Sequence, residues 1–416
     1  MNSFMKRINL TITILILIIF ICISGNTLNN NLLFDHITLT WTQNSSTTIT
    51  ITWRTSLKIK NGLVQYQKIN SSNSVKYVKA HLYVFKTDIE TYNLFTATVS
   101  DLLPNTKYIY RVGNGTSWSD RHTFSTSGTK ISKFKFLIFG DSQSIATCEF
   151  PYTLWSKTIH KAYKSNPDAK FIVNVGDLVD IGQSIVHWNA WFAGAKGVID
   201  SIPIIPVIGN HETFSINDMG KPTFWNSQFN LPKNGPIGLK NQVYSFDYGN
   251  VHFVVLDSQM SEQIRYGNIL IPQKKWLDKD LSQSKSTWKI VFFHKPPYCL
   301  LPTRQNIEIK ESFCPIIDKH HVDIVFNGHD HGVARTYPIK NNIIMKEPSQ
   351  GTIYYITGRS GIKVYKNIKK DIWHCFFYNP IDQPNYLVVE VDKIKLTIKI
   401  IKLDGTIIDT FSIYKK

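Results

Sequence analysis

The sequence predicts two architectures in series: a small β-sandwich, then a larger α/β domain of four layers, two β-sheets flanked by helices. Three observations predict this. From about residue 33 to 125 the chain alternates threonine with apolar residues and is cut by polar turns, the pattern of half-buried strands. From about residue 133 to 416 compact apolar runs alternate with helical stretches, so both faces of those strands must be covered. The length, 416 residues, holds two domains of ordinary size.

In the first segment, Thr38-Leu39-Thr40-Trp41-Thr42 and Thr48-Ile49-Thr50-Ile51-Thr52-Trp53 have a period of two. Further strands are expected at Leu63–Gln67, Ala80–Phe85, Leu94–Val99, Lys107–Val112 and Arg121–Ser125, with no helix among them. Tyr108 follows the Pro104-Asn105 turn. It is either a tyrosine that ties a sandwich corner to the nearby backbone or an ordinary half-buried strand aromatic. After a linker near Thr126–Ser132, strands are expected at Phe134–Phe139, Phe171–Val175, Ile202–Ile208, Gln242–Asp247, Val251–Leu256, Trp288–Phe293, Val322–Phe326 and Thr352–Ile356. Helices are expected at Tyr152–Tyr163, His187–Ile199, Pro272–Leu281 and Ile307–His320. The closing stretch from Tyr386 to Tyr414 returns to strands around the Asp404-Gly405 turn.

Hydrophobic residues make up 43% and charged residues 19%, which excludes a disordered chain. The formal charge of +17 favours anionic partners. No basic run interleaved with aromatics is present, so specific nucleic-acid binding is not expected. Lys6 and Arg7 precede an apolar run from Ile8 to Ile23, then Ser24-Gly25-Asn26-Thr27. Residues 1–25 therefore read as a secretory signal, with export to an extracellular, periplasmic or luminal space; the alternative is a retained membrane anchor. Beyond them stand Cys148, Cys299, Cys314 and Cys375, of which Cys299 and Cys314 are the favoured pair because they would close a short loop. The sandwich can brace the larger domain or help form a homodimer.

The chemistry gathers just after the strands of the second domain. Gly140-Asp141-Ser142-Gln143, Gly176-Asp177-Leu178-Val179-Asp180, Gly209-Asn210-His211-Glu212, His294-Lys295-Pro296-Pro297 and Gly328-His329-Asp330-His331-Gly332 each follow an apolar run. Loops at the carboxyl ends of strands converge in α/β sheets. Singly, a Gly-Asp is turn chemistry and a lone histidine is usually a satisfied core residue. Together they offer hard carboxylates, an amide oxygen and imidazoles, a donor set for two metal ions drawn from iron, zinc or manganese.

With these loops in place the chain resembles the calcineurin-like metallophosphoesterases, and more closely the purple acid phosphatases, including a fibronectin-type-III-like N-terminal domain. The resemblance extends to Tyr244-Ser245-Phe246-Asp247-Tyr248-Gly249, Val251-His252-Phe253-Val254-Val255-Leu256-Asp257-Ser258 and His329-Asp330-His331-Gly332-Val333-Ala334-Arg335. It implies that Asp177 bridges both metals, that Asp141 and His331 hold the first, and that Asn210, His294 and His329 hold the second. His211, with Asn210 beside it, would meet the substrate, steadying a phosphoryl oxygen and protonating the departing one. Two cations roughly 3.5–4 Å apart would prepare a metal-bound hydroxide for direct attack on phosphorus.

Two positions depart from the pattern. The purple enzymes carry a tyrosinate where this chain has Asp180, and many related enzymes carry a histidine where it has Gln143. Gln143 and Asp180 could complete the first metal's shell or support it from behind. A site that is not purple and is less committed to trivalent iron is expected. A phosphomonoester is the expected substrate; phosphodiester or nucleotide hydrolysis at the same site, and an inactive surface-binding scaffold, are the alternatives. Tyr298, Arg304, Trp373 and His374 are candidates for stacking or anion contact in the access loops.

Overall fold

The computed structural model describes residues 34–71, 75–145, 152–215 and 219–415. The expected signal and Cys148 lie outside these residues. No helix among the described residues is long and apolar enough to cross a membrane.

Residues 35–125 form two four-stranded antiparallel sheets. One orders Asp35–Thr40, Ile49–Thr55, Thr91–Val99 and His81–Lys86; the other orders Lys76–Lys79, Leu63–Lys68, Lys107–Gly113 and His122–Ser125. Alternation sends Tyr108, Tyr110 and Val112 inward from one strand, and Trp53, Phe95 and Phe124 join them in the buried interior. The Tyr108 hydroxyl accepts the backbone N–H of Leu103 at 2.9 Å, so this residue is the corner-tying tyrosine. Lys76–Lys79 was not expected as a strand. None of its four residues is buried, so it has no apolar period to read.

The α/β domain holds its two sheets face to face. The first runs Ile204–Pro206, Ile172–Asn174 and Lys133–Phe139 in parallel, then Asn385–Asp392, Lys395–Lys402 and Ile407–Tyr414 antiparallel. The second has a parallel centre of Val251–Val255, Trp288–Phe292, Ile324–Asn327 and Ile353–Thr357. Tyr244–Tyr248 closes one side, and Val333–Thr336 and His374–Tyr378 close the other. Phe136 and Phe171 of the first sheet's side meet Phe253 of the second edge-on, each at 5.5 Å. Outside the first sheet, Trp155 of the helix Thr153–Ser165 packs on Phe139 at 5.3 Å. Outside the second, Ile309, Phe313 and Ile317 recur every four residues in the helix Ile307–Lys319. They share one core with Leu277 and Leu281 of the helix Leu270–Gln283 and with Val254, Val291 and Val325 of the sheet. The result is helix, sheet, sheet, helix.

The sandwich is joined to this domain by specific contacts. Arg54 donates to Asn189 at 2.6 Å, the Tyr110 hydroxyl donates to the Asp200 carbonyl at 2.7 Å, and Trp41 stacks on Tyr248 at 5.4 Å. Asp88, from the hairpin joining His81–Lys86 to Thr91–Val99, accepts the Ile185 N–H at 2.9 Å and so caps the helix Ile185–Ala195. That helix lies just downstream of the Asp177–Asp180 loop.

The expected Cys299–Cys314 disulfide is absent; both are free thiols, as is Cys375. Cys314 is held on the buried face of its helix, in the core with Phe313 and Ile317. Cys299 instead turns toward the Pro296 carbonyl at 3.2 Å. Burial pushes each of these two thiols up to about 12, which leaves little thiolate for oxidation.

Candidate metal centre

Three of the five loops leave their strands through a tight corner. Asp141, Asp177, His329 and His331 all adopt positive φ, between 38° and 73°. A left-handed backbone costs a residue with a β-carbon of order 1–3 kcal/mol, and such corners cluster where surrounding structure fixes a site. Gly176 (φ 97°) is required at its corner. A Cβ there would stand 2.4 Å from Nδ1 of His294, so any side chain would displace that ring.

Two donor groups converge inside. Asp141, Asp177 and His331 bring ligand atoms within 4.8 Å of one another, and Asp177, His294 and His329 form a second such group that shares the Asp177 carboxylate. The Asn210 amide oxygen joins the second at 3.2 Å from Nε2 of His294, which itself lies 3.1 Å from Oδ2 of Asp177 and 3.2 Å from Nδ1 of His329. Hydrogen bonds at the rear of two rings fix which nitrogen faces in. The Val175 carbonyl takes Nδ1–H of His294 at 2.9 Å, and the Lys363 carbonyl takes Nδ1–H of His331 at 2.8 Å. Each ring thus turns Nε2 inward, the atom a metal would take; His294 must give up its Nε2 proton to do so. These residues fit two cations: carboxylates, an amide oxygen and imidazole nitrogens crowd together.

The electrostatics report the same crowding. Burial raises the Asp141 carboxyl well above the carboxylate range, helped by the neighbouring Asp177. Burial also opposes ionisation of Asp177, but the charged imidazole of His294 outweighs it and holds that carboxyl well below its usual value, while Asp177 and Asp141 in turn raise His294 to about 9 against its burial. Burial drives His329 and His331 well below the ordinary histidine value, which keeps both rings neutral and able to ligate.

His211 stands at the rim, on the short turn His211–Thr213. Its backbone N–H donates to Oδ1 of Asp177 at 3.0 Å, its Nδ1–H donates to the Asp180 carbonyl at 2.6 Å, and the Asp180 carboxylate lies 3.3 Å from the same Nδ1. Asp180 therefore addresses His211 and belongs to neither donor group. Gln143 is wholly buried against the first group. Its amide nitrogen lies 3.2 Å from Asp177 Oδ2 and 3.4 Å from His331 Nε2, while its amide oxygen has no protein partner.

Three supports were not read from the sequence. The Glu212 carboxylate accepts the backbone N–H groups of Asp177, Leu178, Val179 and Gly209, pinning two ligand loops together. Burial and the Asp177 charge push it up to about 8. Lys363 places Nζ 2.8 Å from Nε2 of His211. Arg304, expected at the substrate, instead donates to the His329 carbonyl at 2.8 Å and the Asp330 carboxylate at 2.6 Å, bracing the last ligand loop. Tyr298, Trp373 and His374 are likewise built into the fold. Tyr298 meets Tyr354 edge-on and Trp373 at a tilt, and His374 donates to the Tyr298 carbonyl.

Residues 134–333 match the family model for calcineurin-like phosphoesterases, and residues 34–126 match that for the purple acid phosphatase N-terminal domain. Among curated relatives, an Fe(3+)-Zn(2+) purple acid phosphatase 12 of Arabidopsis thaliana is 27% identical over 319 residues, 70% of this chain and 63% of the relative. A probable inactive purple acid phosphatase 9 of the same plant is 24% identical over 64% of this chain and 46% of its own length. The acid phosphatase type 7 of Mus musculus is 24% identical over 64% of this chain and 63% of its own. This chain thus spans less than two thirds of each of these relatives. In fold, it is similar to the purple acid phosphatase PPD1 of yellow lupin seeds, with a TM-score of 0.75 at 19% identity, over 91% of this chain and 74% of that one. The structure of PhoD is similar over 91% of this chain and 90% of that one, with a TM-score of 0.62 at 14% identity. The chain thus carries a calcineurin-like phosphoesterase domain over residues 134–333, preceded by the N-terminal domain of the purple acid phosphatases over residues 34–126.

Proposed function

We propose that this chain is an exported, metal-dependent hydrolase of phosphomonoesters. The observation that carries this reading is Asp177. One buried carboxylate belongs to both donor groups, and imidazoles around it turn Nε2 inward. Asp141 and His331 would hold the first ion, Asn210, His294 and His329 the second, and Asp177 both. The orphaned amide oxygen of Gln143 is the natural further donor to the first. When bound, the two cations supply Lewis acidity to the phosphoryl oxygens and acidify a water between them. The neutral donors and two carboxylates suit zinc, manganese or divalent iron, and a similar relative is named for an iron–zinc pair.

The protein's own side chains do the remaining work. His211, oriented by the Asp180 carbonyl and carboxylate, stands where the leaving oxygen would pass. Glu212 keeps the Asp177 and Gly209 corners in register, and Arg304 does so for the His329–His331 corner. Nothing in the loops supplies a serine elbow, so no covalent phosphoenzyme is expected.

The test is Asp177→Asn, which keeps the side chain's size and removes its charge. Metal content is expected to fall below two ions per chain, with turnover of p-nitrophenyl phosphate down by on the order of a hundredfold. A folded variant with both ions and full turnover would remove Asp177 from its role. A second reading, an inactive scaffold, is favoured by relatives named as probable inactive enzymes and by the departures at Gln143 and Asp180. Assaying metal-loaded protein on matched mono- and diesters separates the readings. Two bound ions without hydrolysis of either class would favour the scaffold, and diester preference would favour the nucleotide or diester alternative.

A further inference from the structure

Lys363 reaches the centre by two routes. The loop after the strand Ile353–Thr357 brings its backbone carbonyl to Nδ1–H of His331 at 2.8 Å, which fixes its main chain beside the first donor group. Its side chain continues to the rim, where Nζ lies 2.8 Å from Nε2 of His211. That same Nε2 stands 3.8 Å from Oδ2 of the shared Asp177.

The directions of these bonds are set by chemistry. The Asp180 carbonyl can only accept, so Nδ1 of His211 carries a proton. An ammonium can only donate, so Nε2 of His211 accepts a hydrogen bond from Lys363 and carries no proton itself. While this bond is made, Nε2 of His211 cannot also donate to a substrate oxygen; it serves the departing oxygen only once Lys363 has moved to the anion and the ring has gained a proton. Lys363 has three N–H bonds; one is given to His211, and two remain for a ligand. The side chain is half-buried, and no carboxylate forms an ion pair with it among the described residues. A cation is thus held at the rim by a neutral acceptor, with spare donors and no carboxylate in direct contact, Asp141 acting on it only through space.

We propose that Lys363 is a substrate-binding residue whose ammonium takes a terminal phosphoryl oxygen beside His211 and thereby favours the dianionic monoester over the monoanionic diester. This rests on the phosphoester reading above. A monoester carries close to two negative charges at neutral pH, spread over three terminal oxygens. The metal sites can engage two of them, and the third needs a donor from the protein. A diester carries one charge and has two terminal oxygens, so it gains less from a further cation. A flexible point charge suits this task, because it can pivot from His211 to the arriving anion.

The test uses full-length, metal-loaded protein as wild type, Lys363→Met and Lys363→Arg. Calorimetry reads binding of inorganic phosphate, and kinetics read p-nitrophenyl phosphate against bis(p-nitrophenyl) phosphate. In Lys363→Met, phosphate affinity is expected to fall about tenfold, equivalent to about 1.4 kcal/mol, and KM for the monoester to rise by a similar factor. Metal content should stay at the wild-type level, the diester KM should change by less than about threefold, and Lys363→Arg should recover most of the loss. Phosphate affinity within about twofold of wild type overturns the proposal. Equal losses on both esters overturn the selectivity, and loss of metal from Lys363→Met overturns the binding role in favour of support for His331. Should wild type hydrolyse neither ester, the hydrolase reading fails while the phosphate titration still decides for or against Lys363.

Discussion

At the scale of single residues, position 180 decides the colour of the site. A purple centre needs a tyrosinate on iron, and this chain offers Asp180 turned toward His211. One phenol touches that loop from the start of the helix Thr153–Ser165: the Tyr152 hydroxyl accepts the Asp180 N–H and contacts Nδ1 of His187, each at 3.2 Å. Burial pushes that phenol far above its usual value, so it stays protonated. Iron-loaded protein is therefore expected to lack an intense visible charge-transfer band. A strong purple absorption would show that a phenolate reaches the metal after all. The residues of the two donor groups could be picked out because each follows directly on an apolar strand, where a short motif marks the loop. Glu212 and Lys363 were not: Glu212 acts on backbone N–H groups, which carry no sequence signature, and Lys363 is one lysine among many on a loop without a period. Arg304 misled for the same reason, since a loop arginine looks alike whether it meets a substrate or a backbone carbonyl.

Among the elements, His252 clamps a strand to its neighbours. Its Nδ1 lies 2.8 Å from Asp247 on the paired strand Tyr244–Tyr248, and its Nε2 lies 2.8 Å from Asp280 on the helix Leu270–Gln283. Burial pulls the imidazolium down, but the two carboxylates outweigh it and raise the ring to about 9. The folded value exceeds the unfolded one of about 6.5, so the clamp contributes fully below that pH and is lost as pH rises through about 9. The urea midpoint of wild type should exceed that of His252→Gln at about pH 6, and the gap should close by about pH 9.5. A gap that stays constant would mean that packing, not charge, holds the joint. Strongly periodic elements such as Ile49–Thr55 and Ile307–Lys319 could be read directly, the helix even across Pro315. Val333–Thr336 and His374–Tyr378 could not, because they are short and polar at their ends, and tertiary pairing alone makes them strands. The helix Thr223–Gln228 was not among the expected helices, because six residues are too few to show a helical period.

Across the whole molecule, the sandwich and the α/β domain share aromatic surface. Trp41 is 3% exposed and lies among Phe171, Phe246 and Tyr248, all of the second domain. Trp41→Ala should cost about 3–5 kcal/mol, as truncation of a buried tryptophan does. Near-ultraviolet dichroism and turnover are expected to fall together at one lowered denaturant midpoint. Separate transitions, with the α/β midpoint unmoved, would show that the two parts stand independently. The left-handed corners at Asp141, Asp177, His329 and His331 bear on how such a protein ages over generations. A β-branched replacement there fails on shape before its reactivity is ever tried. Glycine or asparagine keeps the bend while giving up the charge or the ring. A lineage that had abandoned its chemistry would therefore wear glycine and asparagine at those four bends with its framework intact; this one still wears aspartate and histidine.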